Sequence, residues 1–401
     1  MTDTAARSAA NAAPPVYLDY QATTPVDARV REAMWPFFTE HFGNPHSVHH
    51  GYGRDAETAV TQARREVAAL INAEPREVIF TSGATESNNT AIKGGARFHA
   101  AKGKRHVVTV VTEHKCVLAS CQRLEQEGFA VTYLPVQANG LVDPRAVAEA
   151  IRSDTALVSV MAVNNEIGVI QPLAEIGAIC REKGVMFHVD AAQAVGKIPI
   201  DTAALPVDLM SISGHKIYGP KGIGALYVRR RPRARLEPLM DGGGQERGLR
   251  SGTVPAPLAV GLGAACRVAG EAMDAERAHL DELYRRLRDG LMERVPDAYV
   301  NGDETERIPG NLNICFPGLD AETLIEAVPG LAVSTASACS SASVEPSYVL
   351  SALGLSDADA AASLRIGLGR YTTAAEVDRA VAELGEAVQR LRAQGEARVQ
   401  A

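Results

Sequence analysis

The residues with the clearest chemical potential are Ser213-Gly214-His215-Lys216-Ile217, directly after the apolar run Val207-Asp208-Leu209-Met210-Ser211-Ile212. Lysine forms imines with carbonyl compounds once desolvation or a neighbouring cation lowers its pKa. Lys216 follows a serine and a histidine and precedes the glycine-rich stretch YGPKGIG at 218–224. This setting suggests a Schiff-base lysine, and hence an enzyme that uses pyridoxal 5′-phosphate.

Other segments offer the remaining contacts such a cofactor needs. FTSGATESNN (80–89) reads as a strand, a glycine turn and a helix start, with Ser82 as N-cap. The N–H groups after Gly83 either face a bound anion or simply open a capped helix. In HVDAAQ (188–193), Asp190 closes an apolar strand. An aspartate there pairs with a protonated pyridine nitrogen and keeps the ring an electron sink, or else caps a helix. Gln193, three residues on, reaches the same site across one turn. His114, in TEHK (112–115), ends another strand. It either stacks on a ring and moves protons or is structural.

Four further stretches carry candidate chemistry. VNNEIG (163–168) gathers two amides and a carboxylate at a strand mouth. In GGGQERGLRSGT (242–253), Thr253 is a phosphate contact or part of a loop without function. Arg365, in SLRIGLGR (363–370), clamps a substrate carboxylate bidentately or is a surface arginine. STASACSSAS (334–343) surrounds Cys339 with small residues only. A mobile, exposed loop is expected there, its cysteine poised as a nucleophile.

Positioning these groups requires a scaffold, and the hydropathy pattern supplies one. Strand-like runs recur at 78–81, 107–111, 130–134, 157–163, 186–189, 209–212 and 224–228. They are mostly apolar, as in a parallel sheet covered on both faces. Helix-like stretches at 115–127, 144–152 and 172–183 separate several of them. The expectation is α/β architecture, with a mainly parallel seven-stranded sheet and a ligand at the strands' carboxyl ends. From about residue 270 the pattern changes. Leu280, Leu283, Tyr284, Leu287 and Leu291 form a helical stripe, as do Val377, Val381, Leu384, Val388 and Leu391. Strand-like pieces lie between, at 311–316 and 331–334. We therefore expect a tail (1–16), a large cofactor-binding domain (17–265) and a smaller α+β domain (266–401) carrying the cysteine loop.

Bulk properties exclude several classes. The 401 residues carry a net charge of −7, which gives no electrostatic case for nucleic acid or an anionic membrane. No apolar run reaches the ~20 residues of a membrane helix. The alanine-rich first 15 residues lack a signal-peptide core, so a cytoplasmic location is favoured over the mitochondrial matrix. The six cysteines show neither CxxC pairs nor zinc-site spacing, which fits a reducing compartment. Cys116, beside TEHK, reads as a buried structural thiol.

Together the segments closely resemble the cysteine desulfurases of the NifS/IscS type, within the fold-type I (class V aminotransferase) pyridoxal-phosphate enzymes. The matching stretches include YLDYQATTP (17–25), FGNPHS (42–47), FTSGATESNN, TEHK, VNNEIGV, HVDAAQAVGK, SISGHKIYGPKGIGALYVRR, RSGTVP and ACSSASVEPSYVL. The resemblance spans residues 17 to about 392. It implies that Lys216 is the Schiff-base lysine, Asp190 the partner of the pyridine nitrogen and Gln193 that of the ring hydroxyl. His114 stacks on the ring. Ala84, Thr85, Ser213 and His215 hold the phosphate, with Thr253 reaching in from the second subunit of a homodimer. Asn165, Arg365 and Asn44 serve the substrate, L-cysteine. Cys339 accepts the sulfur as a persulfide, for an iron–sulfur scaffold or tRNA thiolation. No permanent metal is implied, only transient ligation of an iron–sulfur cluster by Cys339 with a partner. A selenocysteine lyase or another class V lyase is the alternative activity. Relatives extend further past the position of Leu391 and Arg392, so altered scaffold docking is expected.

Overall fold

The computed structural model describes residues 14–335 and 346–399. Seven strands form the main sheet: β1 (Val78–Thr81), β2 (His106–Val110), β3 (Ala130–Leu134), β4 (Thr155–Ser159), β5 (Met186–Asp190), β6 (Leu209–Ser213) and β7 (Gly224–Val228). Their spatial order is β1-β7-β6-β5-β4-β2-β3. Only β7 runs against the others, pairing antiparallel with both β6 and β1. Every residue of each strand but β3 is buried, and β3, at the edge, is the one with exposed positions. The continuous apolar runs thus reflect cover on both faces. The expected strand at 157–163 is shifted to Thr155–Ser159. Beyond it, Val160 and Ala162 still donate to His188 and Asp190 carbonyls, outside the regular ladder.

A smaller antiparallel sheet contains β8 (Tyr299–Val300), β9 (Asn311–Cys315), β10 (Ser334–Thr335) and β11 (Ser363–Gly367), in the order β10-β11-β9-β8. The predicted stripes from Leu280 to Leu291 and from Val377 to Val388 meet these strands in one core, with Leu312, Ile314, Leu364 and Ile366.

The helix expected from residue 270 begins earlier, at Ala256, and runs to Arg294. Its first half shows no stripe because it is buried nearly all round, including Leu262, Ala265, Cys266 and Val268. It packs against the helix Gly51–Leu70 so closely that a Cβ on Gly263 would lie 2.6 Å from Ala63 Cα. Small residues allow that approach and also hide the helical period.

Candidate active site

Strands β1, β2, β5 and β6 deliver their carboxyl ends to one edge of the sheet, where a cleft of about 580 Å³ opens. Ala84, Thr85, His114, Asn165 and Asp190 line it. So do Gln193, Ser213, His215, Lys216 and Arg365. Asn44 and Thr253 are exposed and lie outside this lining; the Asn44 side chain instead accepts from the His46 N–H at 2.9 Å. Cys339 lies outside the described residues.

After β1 the chain turns through Gly83, at φ 151°, into the helix Ala84–Asn89. Gly83, not Ser82, occupies the N-cap, because this backbone conformation suits only glycine. The Ser82 N–H turns to Glu86 Oε2 at 2.7 Å. Arg250 binds the other oxygen of Glu86 at 3.0 Å, tying the glycine-rich loop 242–253 to this turn. The N–H groups of Ala84 and Thr85 belong to the first helical turn and have no acceptor within it. Across the cleft, His215 Nδ1 lies 3.0 Å from Thr23 Oγ1. Burial and the neighbouring Lys216 and Lys221 push His215 down to about 4, so it is neutral near pH 7.

Asp190 is 5% exposed. Its Oδ1 accepts from the Ala192 N–H at 3.0 Å, and its Oδ2 from Asn88 Nδ2 at 2.6 Å. No helix follows Asp190, so the carboxylate stabilises a turn while facing the cleft. Asn88 also donates to Cys116 Sγ at 3.2 Å. Cys116 Sγ in turn lies 3.0 Å from His114 Nδ1. His114 caps the helix Lys115–Gln126, accepting from the Cys116 N–H through Nδ1. An acceptor at Nδ1 puts the proton of a neutral ring on Nε2. Burial lowers the His114 pKa and favours that neutral form. Cys116 is half-buried at the cleft wall rather than deep in the core, and burial pushes its thiol up to about 12. It is a hydrogen-bonding thiol, not a thiolate.

Lys216 Nζ donates to the carbonyls of Gln21 and Ala22 at 2.5 and 2.8 Å. Arg365 is not a surface residue: it is 2% exposed. Its guanidinium binds Asp19 Oδ1 at 2.7 Å and the Asn165 carbonyl at 3.2 Å, while its Nε has no partner among the described residues. Sequence reasoning passed over Asn88, Asp19 and Gln21. All three stand inside FTSGATESNN or YLDYQATTP, but only distant contacts reveal what they hold.

The described residues that flank 336–345 are tied down on both sides. On one side, Ser334 pairs with Arg365 in the small sheet. On the other, Ser347 donates to Glu166 Oε2, and Tyr348 donates to the Glu113 carbonyl at 2.7 Å. Burial raises both carboxyls, Glu113 well above its usual range and Glu166 up to about 7.

This arrangement fits pyridoxal phosphate. It offers an amine, a buried carboxylate, a neutral imidazole and free first-turn N–H groups around one cleft. Arg365 Nε, without a partner among the described residues, adds a buried cationic donor for a carboxylate.

The aminotransferase class-V family model matches residues 16–380. The chain is 57% identical over 379 residues to the cysteine desulfurase IscS of Rickettsia rickettsii, covering 94% of this chain and 92% of that one. Among solved structures, a NifS-like protein is similar with a TM-score of 0.87 and 38% identity, over 94% of this chain and 99% of that one. SspA in complex with cysteine is similar with a TM-score of 0.79 and 41% identity, over 89% and 100%. The chain belongs to the class-V aminotransferase family, in its cysteine desulfurase branch.

Proposed function

We propose that this protein is a pyridoxal-phosphate-dependent cysteine desulfurase. L-cysteine and the Cys339 thiol become L-alanine and a Cys339 persulfide: the substrate C–S bond breaks, an S–S bond forms, and a proton replaces sulfur on carbon. The observation that carries this reading is the buried Arg365, whose Nε has no partner among the described residues, in the same cleft as Lys216 and Asp190. A guanidinium there fits an amino-acid carboxylate, and the SspA structure contains cysteine.

The first-turn N–H groups of Ala84 and Thr85, with Ser213 and His215, would hold the phosphate. Asp190 would meet the pyridine nitrogen, Gln193 the ring hydroxyl and His114 the ring face. When bound, the cofactor supplies an electron sink that stabilises negative charge at the substrate Cα. Lys216 Nζ takes the proton from that carbon. Arg365 orients the substrate through its carboxylate, with Asn165 beside it and Asn44 assigned to the same task. The Cys339 thiolate attacks the substrate sulfur. The pairing of Ser334 with Arg365, which lines the cleft, supports this role.

We assign the active form as a homodimer, with Thr253 reaching the partner's phosphate site, and an iron–sulfur scaffold or tRNA thiolation as the sulfur's destination. No described helix is long and apolar enough to cross a membrane, and we place the protein in the cytoplasm. We place the domain division within the helix Ala256–Arg294, whose Cys266 packs in the large core and whose Leu280 packs in the small one, a core that Val16 and Leu18 also join.

The test is the visible spectrum of the purified protein before and after L-cysteine, with alanine and the mass of Cys339 followed in parallel. A yellow protein whose band changes, with alanine released and one sulfur added to Cys339, is expected. A protein that stays colourless with added pyridoxal phosphate would overturn the reading. A faster reaction with selenocysteine than with cysteine would move it to a selenocysteine lyase.

A further inference from the structure

Gln193 lines the cleft, yet its amide is oriented from behind. Its Nε2 donates to the Gln21 carbonyl at 2.9 Å, and its Oε1 accepts from Lys197 Nζ at 2.6 Å. Together these contacts decide which end of the amide is nitrogen. Turned around, the NH₂ would meet the lysine donor and the oxygen would meet the Gln21 carbonyl, and both pairings repel. One Nε2 hydrogen is engaged by Gln21, and the second has no acceptor among the described residues.

Lys197 itself does not line the cleft. It faces a separate void of about 20 Å³, room for about one water molecule, which Gln21 also lines. Lys216, Glu276 and Arg370 border the same void. The Gln21 carbonyl that receives Gln193 also receives Lys216 Nζ. One backbone oxygen therefore joins the Lys197–Gln193 pair to the reactive lysine.

We propose that Lys197 is a positioning residue that acts through Gln193, holding the amide so that its free N–H is presented to an acceptor oxygen of the bound cofactor. This rests on the reading of the cleft as a pyridoxal-phosphate site. Lys197 touches neither cofactor nor substrate.

The charge of Lys197 gives the role a signature. Burial, with Lys216 adding to it, pushes Lys197 down to about 7. The charged groups acting on it are Lys216 from the turn after β6, Glu276 from the long helix and Arg365 from β11; Glu276 alone favours the ammonium. Below neutrality the donor to Gln193 is an ammonium, and above it an amine. Charged donors make the stronger hydrogen bond, so the contribution of Lys197 falls as pH rises through that point.

The test titrates full-length apoproteins with pyridoxal 5′-phosphate, reading affinity by absorbance on both sides of neutrality. The set is wild type, Lys197→Met, Lys197→Ala, Gln193→Ala and the Lys197→Met/Gln193→Ala double variant, each checked for an unchanged thermal transition. Lys197→Met is expected to bind about tenfold more weakly below neutrality, the loss of about one charged hydrogen bond, and by less above it. The double variant should be no weaker than Gln193→Ala alone, because both remove one donor. If Lys197→Met does not fold, the smaller Lys197→Ala carries the same comparison. Wild-type affinity in both lysine variants, or full losses that add in the double variant, would overturn the proposal. A wild-type apoprotein that takes up no pyridoxal phosphate would instead sink the reading of the cleft, and the role of Lys197 with it.

Discussion

The floor and the rim of the cleft are built differently. The floor hangs on the ends of parallel strands, and two of its side chains are braced partly within their own turns, Asp190 by the Ala192 N–H and His114 by the Cys116 N–H. Asn88 also reaches Asp190, and the Gln21 and Ala22 carbonyls receive Lys216. The rim is assembled from remote pieces. Arg365 comes from the small sheet and meets Asp19, 346 residues away in sequence, and Asn165, 200 residues away. The floor is thus mainly a property of one sheet, whereas the rim exists only where the two cores are docked. This difference separates two tasks. Under the proposed function, holding and activating the cofactor falls to the sheet, and gripping the substrate falls to the junction.

Breaking the floor should have the largest effect. Lys216→Ala removes the reactive amine and the group that moves the Cα proton. Alanine production should fall by more than about 10⁴-fold, in the range seen when a nucleophile is deleted, and the yellow colour should vanish. Removing the proposed sulfur acceptor should divide the reaction instead. Cys339→Ser should keep the colour and still bind cysteine, but show no added sulfur by mass spectrometry. Full turnover in that variant would remove Cys339 from the mechanism.

Arg365→Gln tests the rim at the substrate itself. It leaves Asp190, Lys216 and the phosphate contacts in place, so cofactor affinity should stay within about threefold of wild type. Losing a buried, charged contact to a carboxylate costs about 2–5 kcal/mol, so kcat/KM should drop by about 100-fold, mainly through KM. The variant also leaves Asp19 without its cation, and a thermal scan belongs beside the kinetics. An unchanged KM for cysteine would show that Arg365 serves only the Asp19 pair.

What the sequence disclosed follows the same line. The sheet was readable because strands buried on both faces show as apolar runs, and the floor because reactive residues sit just past those runs. At His114 the two alternatives did not exclude each other, whereas at Asp190 no helix follows and the capping alternative fails. Each side chain braces a local turn and faces the cleft as well. The first half of the Ala256–Arg294 helix stayed hidden because burial on all sides leaves no stripe. The N-cap at Gly83 was misplaced onto Ser82 because side-chain preference was weighed above backbone conformation. Asn88 and Asp19 went unnoticed because an amide or a carboxylate carries no period. Their roles arise from contacts across 102 and 346 residues.

The smallest effect on turnover, and the finest test of the junction, concerns Glu166. Its carboxyl is buried, receives the Ser347 hydroxyl, and is pushed by burial up to about 7 from an ordinary 4.5. Between those two values the folded protein keeps a proton that the unfolded chain has released. The native state then binds more protons, so stability falls as pH rises through this window, and the full penalty stands above it. Each unit of displacement corresponds to about 1.4 kcal/mol, so the total is on the order of a few kcal/mol. Glu166→Gln cannot ionise and should be free of this slope. Its denaturation midpoint should gain on wild type steadily from mildly acidic to mildly alkaline pH, while turnover near neutrality changes by no more than about threefold, since no reacting atom is touched. Parallel stability profiles for the two proteins would mean that Glu166 is ionised in the folded state, and that Ser347 meets the rim through a charge rather than a neutral acid.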